Sequence, residues 1–198
     1  MQFEQTETCK NLARSFAGES QAGMRYQIIA KLAMREDLKA LSDAIKTIAK
    51  NETFHASRFF KILEEKGGQA ANIDLDAGYP FRIGSLKEGL HFAAHDEQSE
   101  AEEIYPKFAQ TAENEGFKDI AAIYRMVAEV EKHHRMIFEY LHDAYQNGTL
   151  YKNDAPLLWI CGDCGYMHVA DEAWKVCPLC KAAQGHVELH LPFEGNRL

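Results

Sequence analysis

The sequence has no apolar run approaching the roughly 18–20 residues of a membrane-spanning helix, so no transmembrane segment is expected. It also lacks a basic excess: 22 Lys and Arg face 30 Asp and Glu, a formal net charge of −8. Phosphate recognition needs clustered cations, so no nucleic-acid partner is expected. The first stretch, MQFEQTETCKNL, has no basic head followed by an apolar segment. That is not the pattern of a secretory signal, and the chain is read as cytoplasmic. Cysteine is almost absent outside one short region, where Cys161, Cys164, Cys177 and Cys180 cluster and only Cys9 stands apart. In a reducing compartment such a cluster points to metal ligation rather than disulfides, and Cys9 reads as an ordinary thiol.

What is present divides the chain unequally. Residues 1–145 read as helical throughout. Residues 146–158, QNGTLYKNDAPLL, combine Asn-Gly, Asn-Asp and a Pro and read as a linker. Residues 159–198 form a short, cysteine-anchored module expected to be β-rich. Within the helical part, segments 38–62 and 117–141 align at an offset of 79. Leu38, Leu41, Ile45, Ile48, Glu52, His55, Phe59 and Ile62 step by 3,4,3,4,3,4,3, and so do Phe117, Ile120, Tyr124, Val127, Glu131, His134, Phe138 and Leu141. This is a helix seam of heptad spacing, and in both copies Glu-x-x-His occupies positions that should be apolar. Two further seams run Leu12, Phe16, Glu19, Gly23, Tyr26, Ala30 and Leu86, Leu90, Ala93, Glu97, Glu100, Ile104. Short connections at 34–37 and 112–116 imply two antiparallel hairpins, joined by a long crossover at 65–85. The expected fold is mainly α, a ferritin-like four-helix bundle with one long crossover followed by the small module.

One Glu-x-x-His pair is usually a solvated helix face. Here Glu19, Glu52, His55, Glu97, Glu100, Glu131 and His134 all fall on seam positions near mid-helix. Burying so many carboxylates without a countercharge raises their pKa values and destabilises the fold. A pair of divalent metals removes that problem. Glu from two helices plus Glu-x-x-His from two others is the di-iron carboxylate pattern, and oxygen-rich ligands with one or two imidazoles suit iron or manganese. Five Glu and two His exceed the usual four and two, leaving Glu100 and His55 as candidates for one position. Tyr26 and Tyr105 project near the same face, where a hydroxyl can hydrogen-bond a ligand carboxylate or serve as an ordinary core Tyr. The cysteines follow Cys-x2-Cys-x12-Cys-x2-Cys, a spacing that gathers four sulfurs into a tetrahedron for zinc or a single iron.

The stretches FAGESQAGMRY (16–26), NETFHASRFF (51–60), DEQSEAEEIYP (96–106) and AEVEKHH (128–134), with the two cysteine knuckles, resemble the rubrerythrin family in order and spacing over essentially the whole chain. The resemblance implies a ferritin-like di-iron domain at 1–145 and a rubredoxin-like iron domain at 159–198. It further implies reduction of hydrogen peroxide to water, as an oxidative-stress defence. Carried over by position, Glu52 and Glu131 are implied to bridge the irons, Glu19 to end the first, and Glu97 and His134 to end the second. Glu100 and His55 are implied to exchange on the first iron, with Tyr26 and Tyr105 beside them. Implied partners are an external electron donor, either a rubredoxin or an NAD(P)H-dependent reductase, and a second copy in a homodimer or higher homo-oligomer. Asp96, where relatives often have Gly, Gly23, where Arg is frequent, and Lys181, where rubredoxins usually have Gly, depart from the pattern. Two other readings remain: a ferroxidase or iron-handling protein, and a non-enzymatic protein with a structural zinc ribbon.

Overall fold

A computed structural model describes residues 2–67 and 72–192. Residues 68–71 of the expected crossover and 193–198 of the expected cysteine domain lie outside the described residues. Among the described residues there are five α-helices: α1 (Glu7–Arg35), α2 (Lys39–Gly67), α3 (Leu86–Ser99), α4 (Tyr105–Asn114) and α5 (Lys118–Asn147). Residues Glu100–Ile104 form a π-helical segment that joins α3 and α4 into one rod, so four rods make the bundle.

The helix ends follow local chemistry. Thr6 caps α1 by accepting a hydrogen bond from the Cys9 amide. Ser85 and Glu88 form a reciprocal capping box at the start of α3. Gly148, at φ 66°, closes α5 in the left-handed conformation that glycine adopts without strain. Both tight hairpin connections are present, between α1 and α2 and between α4 and α5, while the segment from 72 to 85 crosses over without helix or strand.

The duplicated seam forms the core. Leu41, Ile45, Ile48, Phe59 and Ile62 of α2 are buried, as are Ile120, Tyr124, Val127, Phe138 and Leu141 of α5. Two expectations fail. Phe16 is 37% exposed, and Ile104 is 38% exposed, whereas Ala101 and Tyr105 are buried. The π turn explains the second: its wider turn delays the face by one residue, so buried positions continue at Glu97, Ala101, Tyr105 and Ala109.

The apolar core is in two parts. One cluster includes Leu12, Phe59, Tyr105, Ile120 and Tyr124; the other includes Tyr26, Ile29, Leu41, Ile45, Phe138 and Leu141. Buried Glu19, Glu52, Glu97, Glu131 and His134 occupy helix positions between them. Leu150, Tyr151, Trp159, Val187 and Leu189 extend the second cluster, so the cysteine module packs on one end of the bundle.

The module is built on the antiparallel pair β1 (Lys152–Ile160) and β2 (Met167–Glu172), with Trp159 opposite His168. Residues 152–158, read as linker from their turn-forming composition, are thus the first part of a strand with an irregularity between Lys152 and Leu157. Gly185 rests against the α1–α2 connection, where an added Cβ would lie 1.8 Å from the Asp37 carbonyl oxygen. The adjacent His186 bridges Asp163 at 2.6 Å and Asp37 at 3.4 Å. Gly185→Ala is therefore expected to lift the module from the bundle at a cost of about 1–3 kcal/mol. Thermal melting and limited proteolysis around 148–151 check this; an unchanged midpoint and cleavage pattern would show that the contact does not hold the module.

Candidate metal centres

The heptad register of α2 and α5 delivers Glu52, His55, Glu131 and His134 to one layer, and α1 and α3 bring Glu19 and Glu97 to it. Their polar atoms form two groups, Glu19, Glu52, His55, Glu131 and Glu52, Glu97, Glu131, His134, each with its ligand atoms within 4.8 Å of one another. His55 Nδ1 lies 3.0 Å from Glu52 Oε2, 3.1 Å from Glu131 Oε1 and 3.8 Å from Glu19 Oε1. His134 Nδ1 lies 2.8 Å from Glu131 Oε2, 3.0 Å from Glu52 Oε1 and 3.7 Å from Glu97 Oε2. Glu52 and Glu131 thus each turn one oxygen to either group, the disposition of carboxylates that bridge two cations.

Eight of these atoms have no hydrogen-bond partner among the described residues: Glu19 Oε2, both oxygens of Glu52 and of Glu131, Glu97 Oε2, and Nδ1 of His55 and His134. Among the described residues no Lys or Arg pairs with these four carboxylates, so only the imidazoles of His55 and His134 offset them from within the layer. Ligand bonds near about 2.1 Å at right angles put neighbouring donors about 3 Å apart, close to the shortest spacings here. The donor set fits two divalent ions.

The surroundings fix these side chains. The Tyr26 hydroxyl donates to Glu97 Oε1 at 2.5 Å, and the Tyr105 hydroxyl donates to Glu19. Each tyrosine therefore serves a carboxylate on another helix rather than the one preceding it in sequence. Burial first, and then the carboxylates of Glu97 near Tyr26 and Glu19 near Tyr105, push both phenols well above their ordinary range and keep them as donors. Sequence reasoning missed Asn51, whose side-chain amide lies 3.2 Å from His134 Nε2 and steadies the ring. It also missed Arg25, which donates to Asp96 Oδ2 at 2.7 Å, while Arg82 of the crossover donates to Asp96 Oδ1 at 2.9 Å. Asp96 thereby ties α1 and the crossover to α3 beside Glu97. Gly23 allows close helix contact, since a Cβ there would stand 3.2 Å from the Ala49 carbonyl oxygen. Glu100 falls outside both four-residue groups. It is partly buried at the start of the π segment, and burial followed by the charges of Glu19, Glu97, Glu131 and Glu52 raises its pKa well above the carboxylate range.

In the cysteine module, Cys161 directly follows β1 and Cys164 lies in the turn after it, while Cys177 and Cys180 form the second knuckle. Sγ–Sγ spacings are 3.7 Å for Cys161–Cys180 and for Cys164–Cys177. Metal–sulfur bonds of about 2.3 Å give a tetrahedral edge of about 3.8 Å, so these spacings suit one four-coordinate ion. Burial raises the Cys177 thiol, but amides of Cys180 and Leu179 directed at its sulfur bring it down to about 6. Lys181 takes φ 69°, the left-handed conformation that glycine adopts more cheaply.

The carboxylate layer carries a definite pH signature without metal. Burial, then Glu131, raises Glu19 from 4.5 to about 8, a destabilising contribution that grows as pH rises through that interval. Burial lowers the His55 pKa, but Glu131, Glu19 and Glu52 outweigh it and raise it from 6.5 to about 12; His134 is raised likewise. The support from these imidazolium ions is complete below 6.5 and is lost as pH rises toward the folded value. Glu52 is the opposite case, held near 2 by His134 and His55 against burial, and its contribution is lost only in acid. The thermal midpoint of metal-free protein is expected to fall between about pH 6 and 9, whereas the metal-loaded protein keeps or gains stability because its ligands bind deprotonated. Parallel melts of both forms across that range check this; parallel curves would remove the metal from the role of countercharge.

The family model described as rubrerythrin matches residues 10–142, and that described as the rubrerythrin rubredoxin-like domain matches residues 159–188. The chain is 39% identical to rubrerythrin-1 of Clostridium acetobutylicum, over 93% of this chain and 94% of that protein. It is 38% identical to rubrerythrin of Porphyromonas gingivalis, over 92% and 90%. A solved structure of nigerythrin in a mixed-valence state superposes with a TM-score of 0.62 at 20% identity, over 94% of this chain and 90% of that one. That likeness bears on the fold, which is ferritin-like with a rubredoxin-like module.

Proposed function

Because this chain belongs to the rubrerythrin family, with its di-iron carboxylate and four-cysteine sites, we propose that it is a peroxidase reducing hydrogen peroxide to water. The observation that carries the reading is one chain holding both a paired carboxylate site and a four-sulfur site. A ferroxidase needs no electron inlet, and a structural zinc ribbon leaves the second set of buried ligands without a use.

Glu19, Glu52, His55, Glu97, Glu131 and His134 would hold the two irons, and Cys161, Cys164, Cys177 and Cys180 the single one. When bound, the iron pair supplies two electrons together and stabilises the charge that develops as the O–O bond breaks. The chain's own part is positional and protonic. Tyr26 and Tyr105 hold Glu97 and Glu19 by hydrogen bonds. Glu100 stands at the start of the π segment beside the ligand layer and faces the crossover cavity, a position from which it can hand a proton to a departing oxygen. His55 stands inside its ligand group and Glu100 outside, which supports a role for the pair in alternating at one position.

Electron delivery favours a second copy of the chain. The module sits on the α1–α2 connection near Asp37, whereas Glu52 lies thirteen residues beyond the start of α2. At roughly 1.5 Å per residue that is about 20 Å along the helix, a long path for rapid transfer within one chain. A head-to-tail homodimer brings the module of one subunit to the carboxylate layer of its partner. The external donor is a rubredoxin or an NAD(P)H-dependent reductase.

Anaerobically reduced protein, mixed rapidly with substoichiometric hydrogen peroxide, is expected to regain its ferric–thiolate absorption at a rate set by peroxide and far faster than with air. Cys161→Ser is expected to abolish turnover from an external donor. A band that ignores peroxide, or a Cys161→Ser variant that turns over normally, would overturn the reading in favour of iron oxidation.

A further inference from the structure

The crossover does more than connect hairpins: it walls a cavity of about 310 Å³ against the bundle. Ala77, Tyr79 and Pro80 line it from the crossover, Ile104 and Phe108 from the third rod, and Glu100 and Tyr105 also face it. Tyr105 donates its hydroxyl proton to Glu19, so the cavity reaches within one side chain of a ligand group. Its wall is fastened at several points. The Tyr79 hydroxyl donates to the Arg14 carbonyl at 2.9 Å, and Arg14 Nε donates to the Asp76 carbonyl at 3.2 Å. Arg82 holds Asp96 and lies over the Phe92 ring, 4.7 Å from its centroid.

Hydrogen peroxide is little larger than water and fills only a small part of such a chamber. The volume instead falls at the lower end of the roughly 300–1,000 Å³ range of small-molecule sites. The wall is divided in chemistry: Ala77, Pro80, Ile104 and Phe108 give it an apolar stretch, Arg14, Gln21, Glu103 and Lys107 bring polar and charged groups to other parts, and the Glu100 carboxyl and Tyr105 phenol stand where it meets the ligand layer. That division matches a molecule with an apolar body and one peroxidic end.

We infer that this cavity seats the organic part of a small alkyl or aryl hydroperoxide, with its O–O end at Glu100 and Tyr105. The inference rests on the peroxidase reading and names a substrate class for the same site. In the reaction the O–O bond takes up two electrons and breaks. With two protons, the carbon-bearing oxygen leaves as an alcohol and the other as water. The two electrons would come from the iron pair of the proposed function, one from each ferrous ion, and the external donor would restore them one at a time through the four-cysteine site. Glu100 is placed to give one proton, and solvent restores it.

The test pairs binding with turnover. Oxidised holoprotein is titrated calorimetrically with cumyl alcohol, the unreactive product of cumene hydroperoxide. Saturable one-to-one binding is expected, and Ala77→Trp, which fills the cavity from the crossover, should abolish it. In rapid mixing, Ala77→Trp should lower the cumene hydroperoxide rate relative to the hydrogen peroxide rate by about tenfold or more, the scale of apolar-pocket discrimination. Loss of hydrogen peroxide turnover in the unaltered protein would strike the peroxidase reading itself, while the titration still decides whether the cavity takes an apolar guest. Absence of binding, binding that survives Ala77→Trp, or an unchanged rate ratio would overturn the inference.

Discussion

The structure depends on how negative charge is accommodated in its middle. Glu19, Glu52, Glu97 and Glu131 are buried together with no Lys or Arg among the described residues paired to them, and only two imidazoles offset them from within the layer. Desolvating carboxylates in this number costs several kcal/mol apiece unless a cation faces them. The apolar seams above and below can bear that only because Tyr26, Tyr105 and Asn51 hold the side chains in one arrangement, ready for ions. Stability and chemistry here share one requirement, so the side chains that place the metals also keep the bundle from repacking around a smaller, drier centre.

Much of the site was legible because helix phase is a backbone property that sequence spacing records. Two seams at an offset of 79 put Glu52 with His55 and Glu131 with His134 on inward positions, and the structure brings all four into one layer. The cysteine knuckles were equally plain, since their spacing and the Sγ distances describe the same tetrahedron. The rest depended on what spacing does not encode. A π turn has no residue signature, so its one-step delay exchanged Ile104 for Tyr105 on the buried face. Pairing across helices is likewise silent in sequence: Tyr26 bonds Glu97 and Tyr105 bonds Glu19, residues 71 and 86 positions apart. Turn-forming residues at 146–158 masked a strand whose partner, β2, lies beyond the first knuckle.

The departures from the family pattern have local physical reasons. Asp96 gives Arg25 and Arg82 a common acceptor, so one carboxylate fastens the first rod, the third rod and the crossover. Gly23 admits the backbone of α2 to van der Waals range of α1. Lys181 holds a left-handed turn at a small conformational cost, and its Nζ donates to the Pro178 carbonyl at 3.1 Å.

The repeat relates the two hairpins, and by itself would make the two ligand groups near-equivalent. The π segment breaks that equivalence. Among the described residues it occurs only in the third rod, where it sets Glu100 beside the Glu19–His55 group and turns that flank toward the crossover. The Glu97–His134 group is backed instead by Tyr26 and Asn51. One inserted helical step therefore gives a duplicated scaffold a front and a back: one ligand group adjoins the crossover cavity through Tyr105, and the other is enclosed behind Tyr26 and Asn51.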